Sequence, residues 1–102
     1  ADHQIPAIVV ENDLTAIKMM NTLRKVDPKI WQRLSIVGFD NIQAASLTYP
    51  SLTTVAQDFK GMGTKAVSLL LKTPVQPTTV RLPVQLIQRD STQPFQPISK
   101  EK

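Results

Sequence analysis

The chain contains no cysteine, and its 102 residues include only one histidine, one tryptophan and one tyrosine. Without cysteine it can form neither a disulfide nor a thiolate metal site. The single histidine, His3, precedes the first apolar segment, and no spacing of histidine and acidic residues is typical of a metal centre. We therefore expect no enzyme activity, no catalytic residues, no metal and no cofactor. The missing cysteine also fits the cytoplasm, which is the location we expect.

No apolar run approaches the length of a membrane span, and no signal-peptide pattern is visible. The net charge is +4, but the basic residues are scattered, so a solvated surface is favoured over a nucleic-acid interface. Hydrophobic residues make up 41% of the chain, as in an ordinary globular protein. The chain begins with Ala1 rather than methionine, and its apolar pattern starts almost at once, so we expect a fragment, or a processed or trimmed chain.

The first forty residues predict a βαβ unit. Residues 5–10 are an apolar run rich in β-branched residues, which predicts a strand buried on both faces. A helix is predicted over 13–26, with an apolar stripe and an end just before Pro28. Residues 34–39 predict a second buried strand, parallel to the first. The fold class is therefore α/β.

The remaining residues predict shorter elements. We expect a loop or short helix over 42–48 and a short strand over 52–55. A second helix should begin after Asp58 and end at Pro74. An edge strand over 80–86 is interrupted by Pro83, and a mobile tail is expected from Ser91 onward.

Two polar side chains follow the two predicted parallel strands. Asn12 comes just after the first strand and Asp40 just after the second, so both should lie at the same edge of the sheet. Open α/β sheets hold their ligands at that edge, and a carboxylate and an amide suit ligand hydroxyl groups. Asp40 could equally be a turn aspartate, and Asn12 taken alone favours helix capping. Phe59, at the start of the second helix, favours core packing on pattern alone.

Several motifs occur together in a recognisable order. They are Val10 to Asp13, Ser35 to Asn41 (SIVGFDN), Pro50 to Val55 (PSLTTV), Gln57-Asp58-Phe59 with Gly63, Leu82-Pro83-Val84, and Arg89 to Thr92. Over about residues 5–92 this order resembles the lactose-repressor (LacI/GalR) family of transcription regulators. The resemblance implies the C-terminal part of an effector domain of the parallel-sheet, periplasmic-binding-protein-like (type I) fold.

The family resemblance also implies boundaries. Residues 1–92 would form the C-terminal portion of the effector-binding and dimerisation domain, with 93–102 as a mobile tail. Within that portion, residues 1–48 would come from one subdomain, 49–80 would cross to the other, and 81–92 would return.

The resemblance implies roles for individual residues. Asn12 and Asp40 match positions that contact effector hydroxyl groups, Phe59 matches an aromatic residue lining the effector pocket, and Gln57 matches a nearby polar position. The region of the family's dimer interface is matched by Leu14, Ile17, Met20, Thr48 and Tyr49.

The function implied is that of a sugar-responsive, DNA-binding transcriptional repressor that forms a homodimer. DNA would be bound only through an N-terminal domain absent from this chain, and no membrane partner is expected. An exported sugar-binding protein of a transporter, which shares the architecture, is the alternative. An α/β enzyme fragment ranks far lower, because no catalytic set is found.

Overall fold

A computed structural model describes residues 5–72 and 76–95. Its strands are β1 (Ala7–Val9), β2 (Ser35–Val37), β3 (Thr54–Ala56) and β4 (Gln85–Ile87), and its α-helices are α1 (Asp13–Val26) and α2 (Phe59–Leu70). Two short 3-10 helices cover Ile30–Gln32 and Gln43–Ser46. The predictions for His3, for Pro74 as a helix end and for the tail beyond residue 95 lie outside the described residues.

The two leading strands pair in parallel, with Val9 beside Val37, so the predicted α/β class and βαβ unit are confirmed. The next segment adds to this sheet, because Thr53 forms a parallel bridge with Val37. The amide of Gly38 donates to the Thr53 carbonyl oxygen at 2.9 Å. β2 is therefore the central strand, with β1 on one side and the start of the β3 segment on the other.

Helix α1 begins and ends where the sequence predicts. The side chain of Asn12 accepts a 2.8 Å hydrogen bond from the amide of Thr15 and so caps the first turn. At the other end the Asp27 amide donates to the Leu23 carbonyl oxygen at 2.9 Å, and Pro28 follows. A polar cap and a proline thus set both ends of the helix.

The sequence predicts an apolar stripe on α1 made of Leu14, Ile17, Met20 and Leu23, and of these only Met20 is buried against the sheet. The buried residues of α1 are Asp13, Ala16 and Met20, whereas Leu14 is 57% exposed. Asp13 occupies a buried position on this face, so a reading based on apolar residues alone misplaces the stripe. The core formed with the sheet contains Val10, Ala16, Met20, Ile36, Ala45 and Leu52.

The prediction that the first strand is buried on both faces is wrong. Val9 is 78% exposed, whereas Val10 at the strand end is buried. β1 pairs with β2 along one edge only, and among the described residues no element covers the face on which Val9 lies. β-branched residues favour extended backbone whether or not both faces are covered, so the strand forms all the same.

The second half of the described chain is more open. β3 and β4 pair antiparallel, and Asp58 caps α2 by accepting from the Gly61 amide at 2.8 Å, as predicted. No residue of α2 is buried, and its predicted apolar stripe is exposed, with Leu70 at 79%. β4 begins only after Pro83, because proline cannot donate to a strand ladder. None of the helices in residues 5–72 and 76–95 has the length and apolar character needed to cross a membrane.

The segment after β4 returns to the first sheet, so the prediction of a mobile tail beginning at Ser91 is wrong for that residue. Ser91 is 3% exposed, and its hydroxyl donates to the Ile36 carbonyl oxygen at 2.6 Å and accepts from the Thr53 amide at 2.8 Å. The Ile36 amide in turn donates to the Ser91 carbonyl oxygen at 2.9 Å. A small hydroxyl side chain therefore links β2 to the start of the β3 segment.

Candidate functional site

Asp40 lies in an unusual backbone conformation at the carboxyl end of β2. Its φ is 115° and that of Asn41 is 57°, and these are the described non-glycine residues with positive φ. Such conformations cost on the order of 1–3 kcal/mol each and persist only where the surroundings impose them. Here the amide of Asp40 donates to the Val55 carbonyl oxygen at 2.9 Å, and Asp40 forms a parallel bridge with Ala56.

The side chain of Asp40 is held by Gln57. The Gln57 Nε2 donates to Asp40 Oδ1 at 2.8 Å, and both residues are half-buried. Gln57 lies between β3 and α2, so residues from two separate parts of the chain meet at the carboxylate. A half-buried carboxylate with an amide beside it can accept hydrogen bonds from ligand hydroxyl groups.

Asn12 lies at the same edge of the sheet, as the parallel geometry predicts. β1 and β2 are direct neighbours, and the amide of Asp13 donates to the Phe39 carbonyl oxygen at 2.9 Å, which joins the two loops. The Asn12 Oδ1 is used in capping α1. In the described part of the chain its Nδ2 has no hydrogen-bond partner, so this donor remains available.

Beneath this edge lies a polar pair that the sequence reasoning missed, Asp13 and Thr54, both fully buried. The Thr54 hydroxyl donates to Asp13 Oδ1 at 2.6 Å, and the Ile42 amide donates to Asp13 Oδ2 at 2.8 Å. The Asn41 amide donates to Thr54 Oγ1 at 3.2 Å. The signal for Asp13 was its spacing of three and seven residues from Ala16 and Met20, which places it on the buried face.

Gly38 gives Asp13 its space. A Cβ at position 38 would overlap Asp13 Oδ1 and would lie 3.0 Å from Leu52 Cδ2 and 3.2 Å from the Asp13 Cα. The backbone just after β2 can therefore approach the head of α1 only because residue 38 has no side chain.

Arg89 joins the returning segment to the same turn. Its Nη2 donates to Asn41 Oδ1 at 2.8 Å and its Nη1 to the Leu52 carbonyl oxygen at 2.9 Å. Its backbone amide donates to Thr53 Oγ1 at 2.9 Å. The sequence reasoning noted Arg89 only as part of a motif, and a basic side chain just past a strand was the available signal.

The other predicted contact residue, Phe59, is 55% exposed, so the core packing favoured by its pattern is not observed. A groove of about 480 Å³ runs between α2 and residues 78–84 and is lined in part by Gln57, Met62 and Leu82. Asn12, Asp40 and Phe59 do not line it. The structure thus brings Asp40 together with Gln57 and places Asn12 on the adjoining loop, while the side chain of Phe59 is exposed at the start of α2.

The five residues predicted for a dimer interface differ in exposure. Tyr49 is 84% and Leu14 57% exposed, and Ile17 and Thr48 are half-buried. Met20 is 2% exposed and belongs to the core, so its side chain offers no surface to a second protomer, and the prediction is corrected there. Helix periodicity explains the error, because Met20 faces the sheet with Ala16 and not the solvent with Leu14.

Together these features define an α/β domain whose parallel sheet carries Asp40, at positive φ, and a buried polar pair at its carboxyl edge, the edge at which open α/β sheets hold their ligands. A family model described as "Periplasmic binding protein-like domain" matches residues 1–92. The chain therefore belongs to the periplasmic binding protein-like domain family.

Curated relatives are repressors. The lactose operon repressor of Klebsiella pneumoniae is 37% identical over 94 residues, covering 89% of this chain and 27% of that protein. The ribose operon repressor of Lactococcus lactis subsp. lactis is 26% identical over 94 residues, covering 88% of this chain and 29% of that protein. The chain thus spans less than a third of the length of these relatives.

Solved structures of relatives share the fold. A lac repressor dimer bound to operator and the anti-inducer ONPF superposes with a TM-score of 0.76 at 32% identity, over 85% of this chain and 32% of that one. A periplasmic binding protein/LacI transcriptional regulator from Alkaliphilus metalliredigens QYMF was solved in complex with D-xylulofuranose. It superposes with a TM-score of 0.74 at 34% identity, over 85% of this chain and 34% of that one. Both likenesses confirm the predicted fold class.

Proposed function

We propose that this chain is the effector-binding and dimerisation part of a sugar-responsive, DNA-binding transcriptional repressor. Repressors among the relatives support regulation, and a relative solved with D-xylulofuranose supports a sugar as the effector. The relatives are much longer than this chain, so DNA binding would be supplied by residues outside it.

The observation that carries the proposal is the conformation of Asp40 at the carboxyl edge of the parallel sheet. Its backbone is held at φ 115°, and its carboxylate accepts a hydrogen bond from Gln57. Strained residues concentrate at ligand sites, because a packed scaffold keeps them there when function requires it. A half-buried carboxylate can accept hydrogen bonds from two or more hydroxyl groups, and a sugar carries several such hydroxyl groups.

Other residues complete the proposed site. The Nδ2 of Asn12, which has no hydrogen-bond partner among residues 5–72 and 76–95, donates to an effector hydroxyl, and Gln57 fixes the orientation of the Asp40 carboxylate. The ring of Phe59, which is exposed, supplies an apolar surface to the effector when the remainder of the pocket is present.

Regulation follows from population shift. In this proposal residues 1–48 and 49–80 belong to two subdomains, and residues 81–92 return to the first. The effector favours one relative setting of the subdomains, and that setting biases the DNA-binding heads. Two copies associate through the exposed surface near Leu14 and Tyr49, with Ile17 and Thr48 at its margin.

The proposal is tested by calorimetry on the protein encoded by the complete gene, titrated with lactose, ONPG, D-ribose and D-xylulose. We expect at least one of the four compounds to bind saturably. Where two of them bind, we expect them to compete for one site. A folded protein that binds none of the four contradicts a sugar effector of this group.

The transporter alternative is separated by the upstream coding sequence. A helix-turn-helix there supports regulation, whereas a signal peptide supports transport. The curated relatives, which are repressors, favour regulation.

A further inference from the structure

We infer that Asp13 is a positioning residue for Asp40: its buried carboxylate and the Thr54 hydroxyl hold the left-handed turn that presents Asp40 at the sheet edge. This inference deepens the proposed function and rests on it for the ligand that Asp40 binds. Asp13 itself is fully buried, so it acts through the turn and not by direct contact with the ligand.

The turn is held through three consecutive backbone amides. The amide of Asp40 donates to the Val55 carbonyl oxygen at 2.9 Å, that of Asn41 to Thr54 Oγ1 at 3.2 Å, and that of Ile42 to Asp13 Oδ2 at 2.8 Å. A backbone at positive φ relaxes to a common conformation unless such bonds prevent it. Two of the three bonds go to the Asp13–Thr54 pair.

The direction of the hydrogen bonds is set by Asp13. A carboxylate can only accept, so the Thr54 hydroxyl must donate its proton to Asp13 Oδ1, at 2.6 Å. The Thr54 oxygen is then free to accept from the Asn41 amide. Asp13 thus acts on Ile42 directly and on Asn41 through Thr54, and an amide in its place would offer an N–H where an acceptor is required.

The surrounding residues are arranged around this carboxylate. Gly38 has no Cβ where one would overlap Asp13 Oδ1. Asp13 is also the first residue of α1, where the helix dipole favours a negative charge. The Asn41 side chain is held in addition by Arg89 Nη2 at 2.8 Å, so the turn is fixed from both sides.

The test compares Thr54→Val, which removes the hydroxyl at nearly constant volume, with Thr54→Ser, which retains the hydroxyl. NMR on the full 102-residue chain measures the HN–Hα coupling of Asp40 and the exchange rates of the Asn41 and Ile42 amides. Calorimetry with the four-compound panel is run on the complete gene product. Ser68→Ala, at an exposed position on α2, is the neutral control.

For Thr54→Val we expect a changed Asp40 coupling and faster exchange at Asn41. Where the wild type binds a sugar, its Kd should rise about tenfold to a hundredfold, the range covered by a hydrogen bond to a charged group. Thr54→Ser should restore all three readouts. Asp13→Asn should change the Asp40 coupling in the same direction as Thr54→Val does, and it should speed the exchange of the Ile42 amide.

The inference is overturned if Thr54→Val loses stability but keeps the Asp40 coupling and, where binding exists, the wild-type Kd. Asp13 and Thr54 would then only attach α1 to the sheet. The NMR readouts need no sugar, so a wild type that binds none of the panel rejects the proposed effector while the coupling still decides the role of Asp13. Should Thr54→Val fail to fold, Asp13→Asn decides by the same coupling.

Discussion

Gln57 Nε2 donates a 2.8 Å hydrogen bond to Asp40 Oδ1, although the two residues follow different strands. Asp40 follows the parallel strand β2, and Gln57 follows β3, whose partner β4 is antiparallel. This one contact joins the part of the chain that forms the βαβ unit to the part that carries α2. Asp40 is therefore both the proposed ligand contact and a link between the two sheets.

Asp40→Ala should weaken effector binding in the complete protein by about 1.5–3 kcal/mol, because a hydrogen bond to a charged group is lost. The variant should still bind operator but should resist induction. Calorimetry measures the affinity, and Asp90→Ala, which alters an exposed aspartate, is the control. Unchanged effector affinity in a folded Asp40→Ala protein would remove Asp40 from the site.

Asp40→Gly should be more stable than Asp40→Ala by about 1 kcal/mol, because glycine adopts positive φ without strain. Both variants lose the bond from Gln57, so their difference isolates the backbone at φ 115°. Urea unfolding measures both free energies. At Asp90, whose φ is not positive, the glycine variant should be no more stable than the alanine variant. If Asp40→Gly were likewise no more stable than Asp40→Ala, the turn would carry no strain.

Asn12→Ser and Asn12→Ala should separate helix capping from ligand binding. Serine retains a capping oxygen, so we expect a stability within about 0.5 kcal/mol of the wild type, whereas alanine should cost about 1 kcal/mol. Both remove the Nδ2 donor and should weaken effector binding alike. Thermal unfolding and calorimetry give the two quantities. Full sugar affinity in Asn12→Ser would restrict Asn12 to its cap.

Gly38→Ala should destabilise the protein by about 1–3 kcal/mol, since the added methyl group meets Asp13 and Leu52 in a packed interior. Gly63 is the matched control, because a Cβ there meets nothing within 4 Å and the residue lies inside α2. Gly63→Ala should therefore stabilise by about 0.5–1 kcal/mol. Denaturant titrations that give both variants the same sign would contradict the close approach at Gly38.

Asp27 should titrate below its ordinary pKa. The hydrogen bond from Arg33, at 2.9 Å, lowers the pKa of Asp27 most, and the Lys29 amide lowers it further. The resulting stabilisation is present above the pKa of an unfolded aspartate, about 3.9, and is lost as the pH falls through the lower folded value. The pair is exposed, so its effect is small and is screened by salt.

Carbon-detected NMR titration of the Asp27 side chain checks this prediction. Arg33→Gln should raise the Asp27 pKa toward its ordinary value, and Lys60→Gln, at an exposed position on α2, should leave it unchanged. The assignment to Arg33 fails if both variants titrate as the wild type does.

Much of the local structure could be predicted because it depends on short-range chemistry. Asn12 and Pro28 limit α1, Asp58 opens α2, and a β-branched run before Asn12 forms β1. The common edge of Asn12 and Asp40 followed from strand direction alone, since parallel strands end on one side of a sheet.

The partners of buried polar groups could not be predicted, because they come from distant parts of the chain. Thr54 lies 41 residues from Asp13, and Ser91 lies 55 residues from Ile36. Periodicity reports which face a residue occupies but not which residue it meets across the fold. The exposure of Val9 and of α2 likewise depends on what covers each face, which a single segment does not encode.

Ser91 reaches back to Ile36 and Thr53 late in the chain, and this order has a consequence during translation. A ribosome releases β1, α1 and β2 before residue 91, and the βαβ unit can pair as soon as it emerges. Thr53 can then pair with Val37, but the backbone groups of Ile36 on the same side of β2 stay unpaired until residue 91 leaves the exit tunnel. A nascent chain stalled before that point would expose the Ile36 carbonyl oxygen and the Thr53 amide together, and such an unpaired strand edge is where chaperones and misassembly compete.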